Sequence, residues 1–211
     1  MAVELSNELK EAIKGLPEKE KDKLLLRLLK YDLKLVERLN FELLMPYTIE
    51  EARTNLKARI DRKCQKLYKI PQISDYDFHY ELREISGGIT HHLNITKDKY
   101  GEVELMIYAI NKLLKAFGDL IAQDKQRYYY KFPTYLLTKV MKVLLLLLKM
   151  NPDLRIDFRE DLELIQELLK QNSVMKEFAA ENEFNFEWLD LDCLPEDLPE
   201  IYKELRADGL Y

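Results

Sequence analysis

The chain has 211 residues, of which 34% are charged and 47% hydrophobic, and its net charge is −5. A chain of this length buries about 70% of its extended surface, so it needs no disulfide or structural metal to stabilise a core. The two cysteines, Cys64 and Cys193, are far apart, which argues against a disulfide framework or a zinc finger and favours a cytoplasmic location. The first residues carry acids and lack an apolar run, so we expect no signal peptide.

The first 70 residues predict a series of helices joined by short turns. Apolar residues recur at helical spacing through 3–14, through 17–45 with a pause in the middle, and through 49–69. Thr48 and Glu51 have the spacing of a capping box, which marks the start of the third segment. Helices of this length, alternating with tight turns, are typical of antiparallel helical pairs.

The next stretch predicts two helices separated by an irregular segment. Ser74 can cap the first of them, and we expect that helix to end at Gly87 and Gly88, because glycine is the usual residue after a helix C-terminus. Residues 89–98 alternate between apolar and polar side chains without a convincing partner strand, so we assign them to a loop or irregular segment. Residues 99–130 have the apolar spacing of a long amphipathic helix.

Residues 135–150 predict a helix that is apolar around most of its circumference. Such a helix must be surrounded by other elements, so we place it at the centre of the fold. The remaining narrow arc carries Lys139, Lys142, Lys149 and, among them, Leu146. The apolar run is shorter than the ~20 residues that a transmembrane helix requires, so we expect no membrane insertion.

Beyond this helix the sequence predicts a helix over 156–169, a short one over 174–182, and a last one from about 197 to 209. Residues 184–188 also show a weak alternation of aromatic and polar side chains, and we assign them to an irregular segment.

These elements together predict an all-α fold. We expect an irregular antiparallel multi-helix bundle, or a short α-α superhelix, around the central hydrophobic helix 135–150. A single domain over 1–211 is expected, with possible sub-units at 1–70 and 71–211.

Charge is distributed unevenly along the chain. The net charge is +4 over 1–69, −4 over 70–109, +6 over 110–150 and −11 over 151–211. The last two segments are expected to attract each other, either within one chain or between two copies. A weak homodimer is therefore one expectation.

The histidines and acids between residues 75 and 92 form the densest set of possible metal ligands. The candidate ligands are His79, Glu81, Glu84 and His91. The His-Glu-x-x-His spacing of zinc helices is absent, and acids at a helix N-terminus beside surface histidines explain the same pattern.

A second metal hypothesis rests on paired carboxylates. All-helical nucleotide pyrophosphohydrolases hold magnesium with a Glu-x-x-Glu and a Glu-x-x-Asp on neighbouring helices. Glu81 with Glu84, and Glu187 with Asp190, have these spacings but lie over a hundred residues apart. A metal-dependent nucleotide hydrolase is accordingly an alternative function.

The basic and tyrosine-rich region 112–149 suggests a partner or nucleic-acid surface, because single-stranded nucleic acids bind where basic side chains alternate with aromatic rings. The candidate residues are Lys125, Arg127, Tyr128, Tyr129, Lys139, Lys142, Leu146 and Lys149. The sequence pI near 5.4 argues against a dedicated nucleic-acid binder, and tyrosines at a helix end often pack on the core with their hydroxyls in water.

The sequence contains no nucleophile elbow, phosphate-binding loop or dinucleotide fingerprint, and we expect no cofactor and no catalytic residue. The sequence therefore favours a non-enzymatic, cytoplasmic helical interaction or scaffold module with a protein partner. The nucleic-acid binder and the metal-dependent hydrolase are its alternatives.

Overall fold

A computed structural model describes residues 4–120 and 131–207, which form two compact units. The N-terminal unit comprises the chain up to Pro46 together with Asn94–Thr96. The main unit comprises Tyr47–Leu93 and the chain from Lys97 onward. The sub-unit boundary predicted at residue 70 lies inside the main unit.

The N-terminal unit contains three short amphipathic helices. They are α1 (Asn7–Gly15), α2 (Glu18–Leu29) and α3 (Leu33–Leu44). The Ser6 hydroxyl caps α1 by accepting a hydrogen bond from the Leu9 amide, and the Asp32 carboxylate caps α3 in the same way. The Asp32 cap accounts for the pause in the sequence pattern. All three helices are fully described, and none of them contains a buried residue.

The remaining described helices are α4 (Ile49–Leu67), α5 (Asp75–Thr96), α6 (Lys99–Leu120), α7 (Lys131–Leu148), α8 (Pro152–Arg155), α9 (Arg159–Gln171), α10 (Ser173–Glu181) and α11 (Leu198–Ala207). Two short 3₁₀ helices, Ile156–Phe158 and Phe186–Leu189, lie between them. No residue of 4–120 or 131–207 lies in a β-strand, so the predicted all-α class is confirmed.

Helix α5 is longer than the sequence predicts. Gly87 and Gly88 do not end it, and the helix continues to Thr96, where Lys97 takes the left-handed conformation with a φ of 59°. Ile89 carries the buried face of α5 beyond the glycines. Packing along this face therefore outweighs the ~1 kcal/mol that each glycine costs inside a helix relative to alanine.

The centre of the main unit is shared by α6 and α7, which pack against each other. Helix α6 also contacts α4 and α9, and α7 also contacts α10 and α11. The sequence predicts a central helix at residues 135–150, and in the structure α6 is buried to a similar extent as α7. Among the described helices, none is long and apolar enough to cross a membrane.

Helix α7 begins four residues earlier than predicted, at Lys131, and includes Pro133 in its first turn. Proline is tolerated there because the first amides of a helix have no partner within the helix. The Lys131 and Phe132 amides instead donate to the Asp75 carboxylate of α5, at 2.8 and 2.9 Å. A residue distant in sequence thus caps α7.

Three phenylalanine rings connect α5, α6 and α7 next to this cap. The ring centroid of Phe78 lies 5.1 Å from that of Phe117 and 5.3 Å from that of Phe132, and the latter two are 4.8 Å apart. All three side chains are fully buried. Aromatic contacts of this kind contribute about 0.5–1.5 kcal/mol per pair beyond the area that they bury.

Two aspartate substitutions on α7 test the orientation of that helix. Leu144 is 0% exposed, whereas the Lys142 side chain is 48% exposed with its Nζ 3.5 Å from Glu102 Oε1. We expect Leu144→Asp to lower the free energy of unfolding by more than ~4 kcal/mol, because it buries a charge without a partner. Lys142→Asp should lower it by less, about 1–2 kcal/mol, because the lysine is half exposed although its loss leaves the buried Glu102 beside a like charge. Urea titration followed by circular dichroism measures both, and equal losses would show that the buried face is assigned wrongly.

Candidate interaction surfaces

The N-terminal unit exposes large apolar side chains on all three of its helices, and we call this set the N-terminal apolar surface. Tyr31 is 86% exposed and Leu44 is 75% exposed. The set is Leu5, Leu9, Ile13, Leu25, Leu26, Leu28, Tyr31, Leu33, Leu35, Leu43, Leu44 and Met45. A concentration of exposed apolar residues on this scale is typical of a protein-protein contact.

The charges of the N-terminal unit balance. Residues 4–46 contain nine acidic and nine basic side chains, and Asn94–Thr96 adds none. Ion pairs such as Lys14 with Glu11 and Arg38 with Glu42 lie within single helices. A neutral surface of mixed charge has no general attraction for a nucleic acid or an anionic membrane, so its apolar residues decide what it binds.

The main unit contains a buried polar centre around the Asp98 carboxylate, which caps α6. Asp98 accepts the Gly101 amide at 2.9 Å, the Arg53 Nε at 2.5 Å and the Arg53 Nη2 at 2.8 Å. The His92 Nε2 lies 3.1 Å from Asp98 Oδ2. These contacts join α4 and α5 to the N-terminus of α6.

The electrostatics of this centre favour an ionised Asp98. Burial by itself would raise the pKa of the Asp98 carboxyl, but the hydrogen bonds from Arg53, the Gly101 amide and His92 together lower that pKa below its usual value. The Arg53 guanidinium also lies over the Tyr100 ring, at 5.0 Å from the centroid. With this many protein partners, the centre serves to hold helices together.

Gly101 is required by the geometry of this centre. A Cβ atom at residue 101 would overlap the Asp98 carboxylate and would lie 2.7 Å from the Arg53 Nε. The missing side chain therefore leaves the space in which arginine and aspartate meet. Sequence analysis did not identify this centre, although an aspartate three residues before a glycine at a helix start is a recognisable signal.

The structure does not bring the predicted metal ligands His79, Glu81, Glu84 and His91 together. Glu81 accepts a hydrogen bond from Lys63 at 2.8 Å, while the His79 ring packs on Tyr135 with centroids 5.2 Å apart. Glu84 and His91 are exposed. Among the described residues, no three histidine, cysteine, aspartate or glutamate side chains are grouped to hold a metal ion.

Their spacing on α5 explains this result. Residues two positions apart on a helix project about 200° apart, so His79 and Glu81 face different neighbours. His91 lies about three turns further along α5. The second predicted carboxylate pair is Glu187 with Asp190. Asp190 Oδ1 lies 3.7 Å from Arg159 Nη1.

The predicted basic surface is described only in part. Its residues Lys125, Arg127, Tyr128 and Tyr129 lie outside the described residues. The other four lie on or just after α7 and differ in their surroundings. Lys139 Nζ lies 4.7 Å from the Tyr135 ring centroid, Lys142 pairs with Glu102, Leu146 packs partly against the core, and Lys149 is exposed.

A different group of aromatic and basic side chains comes together between α5 and α7, and we call it the α5–α7 aromatic patch. Tyr76 and Tyr80 are exposed and lie one helical turn apart on α5. Lys131 of α7 lies over the Tyr76 ring at 5.2 Å, and Arg83 is exposed one turn beyond Tyr80. Tyr76, Tyr80 and Arg83 share one face of α5, and only Lys131 comes from a helix that is distant along the chain.

The two cysteine thiols are both unpaired. Burial raises the pKa of Cys64 to about 12, and the nearby Asp190 carboxylate raises the pKa of the exposed Cys193. Both thiols are therefore protonated at neutral pH, unlike the activated thiolate of a catalytic cysteine.

Comparison of the chain with protein-family models, with curated proteins and with solved structures finds no match. The function has to be argued from the surfaces described above.

Two glycine-to-alanine substitutions test whether the buried polar centre requires Gly101. We expect Gly101→Ala to lower the free energy of unfolding by about 2 kcal/mol or more, because its methyl group displaces Asp98 or Arg53 from a charged hydrogen bond. Gly87→Ala is the matched control. No atom of the described residues lies within 4 Å of a Cβ at that position, so alanine should raise stability by up to ~1 kcal/mol. Denaturant titration measures both, and a stabilising Gly101→Ala would contradict the assigned geometry.

Proposed function

We propose that the protein is a non-enzymatic, cytoplasmic helical interaction module, and that its N-terminal unit binds the same unit of a second copy. The observation that carries the proposal is that α1–α3 bury no side chain while exposing apolar residues along their whole length. The unpaired Cys64 and Cys193 are compatible with a reducing compartment.

Energetics support an intermolecular contact for this unit. Helices of 9, 12 and 12 residues are marginal on their own, because helix nucleation is costly and most helical stability comes from packing. Full burial of one leucine side chain contributes about 1.5–3 kcal/mol. A partner that covers even a few of the exposed leucines therefore stabilises both the contact and the helices that form it.

Charge favours a second copy as that partner. The N-terminal unit has no net charge, so two copies of it can meet without net repulsion, whereas the rest of the chain carries the whole net charge of −5. Two-fold dimers with self-complementary interfaces are also the commonest oligomers. Pairing through the neutral unit would lead to a dimer that presents two main units.

The sequence suggested a different contact, in which acids of residues 160–167 meet the lysine arc of a second copy. Glu160 and Glu163 are exposed, as that hypothesis requires. On the lysine side, however, Lys139 lies over the Tyr135 ring and Lys142 lies near Glu102. The apolar contact is therefore the better supported of the two.

Sedimentation tests this proposal. We expect a dimer that persists at 1 M salt, because the contact is apolar and salt screens only charges. The double variant Leu26→Gln/Leu44→Gln should raise the dimer dissociation constant by about 100-fold or more, since it removes two leucines from the interface. Both residues are exposed, so the fold itself should be retained.

The matched control replaces two exposed apolar residues of the main unit, Leu154→Gln/Ile156→Gln, and should leave the dimer intact. A chain that stays monomeric at all concentrations would contradict the proposal. A dimer that is weakened equally by both double variants would also contradict it.

The α5–α7 aromatic patch supports a second candidate function, the binding of single-stranded nucleic acid. Exposed rings next to Arg83 and Lys131 offer stacking surfaces beside positive charge, and stacking contributes about 1–3 kcal/mol per base. Fluorescence anisotropy with a labelled 20-nucleotide oligo(U) tests it. Tyr76→Ala/Tyr80→Ala should weaken binding by about tenfold or more, whereas Tyr31→Ala should not. The absence of any binding would eliminate this candidate.

A further inference from the structure

A groove of about 600 Å³ lies between α6 and α9 in the main unit, next to the start of α10. Its volume lies within the range of about 300–1,000 Å³ that is usual for small-molecule sites. Leu114 of α6 and Leu164 and Leu168 of α9 supply apolar lining, and Asn111, Lys115 and Asn172 are among its polar lining residues. This combination of apolar walls and a few polar groups is typical of a ligand site.

Asn111 has an unsatisfied hydrogen-bond acceptor beside the groove. The side chain is only 8% exposed, and its Nδ2 donates to the Asp161 carbonyl oxygen at 3.1 Å. Its Oδ1 has no hydrogen-bond donor among the described residues. Buried acceptors are rarely left without a donor. Turning this oxygen towards the groove about the soft terminal torsion of asparagine would exchange the Nδ2 bond to Asp161 for a bond from a ligand donor.

Two lysines, Lys112 and Lys115, and one carboxylate, Asp119, line the groove, so its lining carries a net charge of +1. Lys112 is engaged, because its Nζ lies 3.2 Å from Asp61 Oδ1 and 5.1 Å from the centroid of the Tyr108 ring. Asp119 accepts a hydrogen bond from the Tyr68 hydroxyl at 2.7 Å. Within the described part of the chain Lys115 forms no ion pair, so its ammonium group is available to an anion.

Gly118 leaves the groove open. It lies in the interior of α6 and is exposed, and of the described residues a Cβ there would meet only the Asn172 side chain, at 3.9 Å. Packing therefore does not require glycine at this position, although glycine is a poor helix former. A longer side chain at residue 118 would extend into the space between α6 and the start of α10.

We propose that this groove binds a small organic anion with an apolar body. The apolar body lies against Leu114, Leu164 and Leu168, and the anionic group pairs with Lys115. A hydrogen-bond donor on the ligand can satisfy Asn111 Oδ1. This site belongs to the main unit and is independent of the dimer contact proposed for the N-terminal unit.

The test uses 4-phenylbutyrate as the probe, with the full-length protein. Its titration is followed in ¹⁵N-¹H spectra through the side-chain amide signals of Asn111, Gln171 and Asn172, all of which line the groove. We expect these signals to shift saturably. The neutral analogue methyl 4-phenylbutyrate should bind more weakly, because it has no charge to pair with Lys115 and, like the carboxylate, no hydrogen-bond donor for Asn111 Oδ1.

Two substitutions make the test specific. Gly118→Leu should abolish the shifts while leaving the protein folded, because leucine is the better helix former and the position has room for a side chain. Gly87→Leu is the same change at an exposed helical glycine outside the groove, and it should leave the affinity unchanged. Lys115→Gln should weaken binding by about two- to fivefold, as expected for an exposed ion pair.

Three results would overturn the proposal. The first is the absence of saturable shifts at these side-chain amides. The second is the same affinity in Gly118→Leu as in Gly87→Leu. The third is equal binding of the acid and its methyl ester, which would show that the site does not select an anionic ligand.

Discussion

The hydrogen-bonded pair of Arg53 and Asp98 is the contact on which the arrangement of α4, α5 and α6 depends. A charged pair shielded from water is stable only if its remaining hydrogen-bonding groups are satisfied, and Asp98 meets this condition with the Gly101 amide and His92. Because the same carboxylate caps α6, the start of that helix is fixed relative to α4. The packing of α6 against α7 and α9, and hence the walls of the groove, follows from this position.

The two units differ in how they reach stability. The main unit has a continuous core that includes Phe78, Phe117 and Phe132, and its polar groups occupy defined places around that core. The N-terminal unit has helices with good caps and suitable apolar spacing but no buried side chain. Local sequence signals determine its helices, but these helices do not bury enough apolar surface among themselves to form a full core.

Local pattern predicted the fold class and most helices, because apolar spacing and caps such as Ser6, Asp32 and Thr48 act within a few residues. It was wrong at Gly87 and Gly88, where a continuous buried face outweighs the cost of two glycines. The interaction surfaces were harder to predict. Arg53 and Asp98 are 45 positions apart, and the groove arises from side chains on different helices, so each depends on tertiary packing that no local pattern contains. In the α5–α7 aromatic patch only Lys131 depends on that packing, since Tyr76, Tyr80 and Arg83 share α5.

The capping of α7 by Asp75 has a consequence for the order of folding during synthesis. The first amides of a helix are normally satisfied by a residue just before it, but here they are satisfied by a carboxylate that precedes them by 56 and 57 positions. Helix α5 leaves the ribosome before α7, so the cap is already present when the first turn of α7 emerges. The reverse order, as in a circularly permuted chain that begins at residue 131, would leave that turn uncapped until Asp75 is made, 156 residues into the chain.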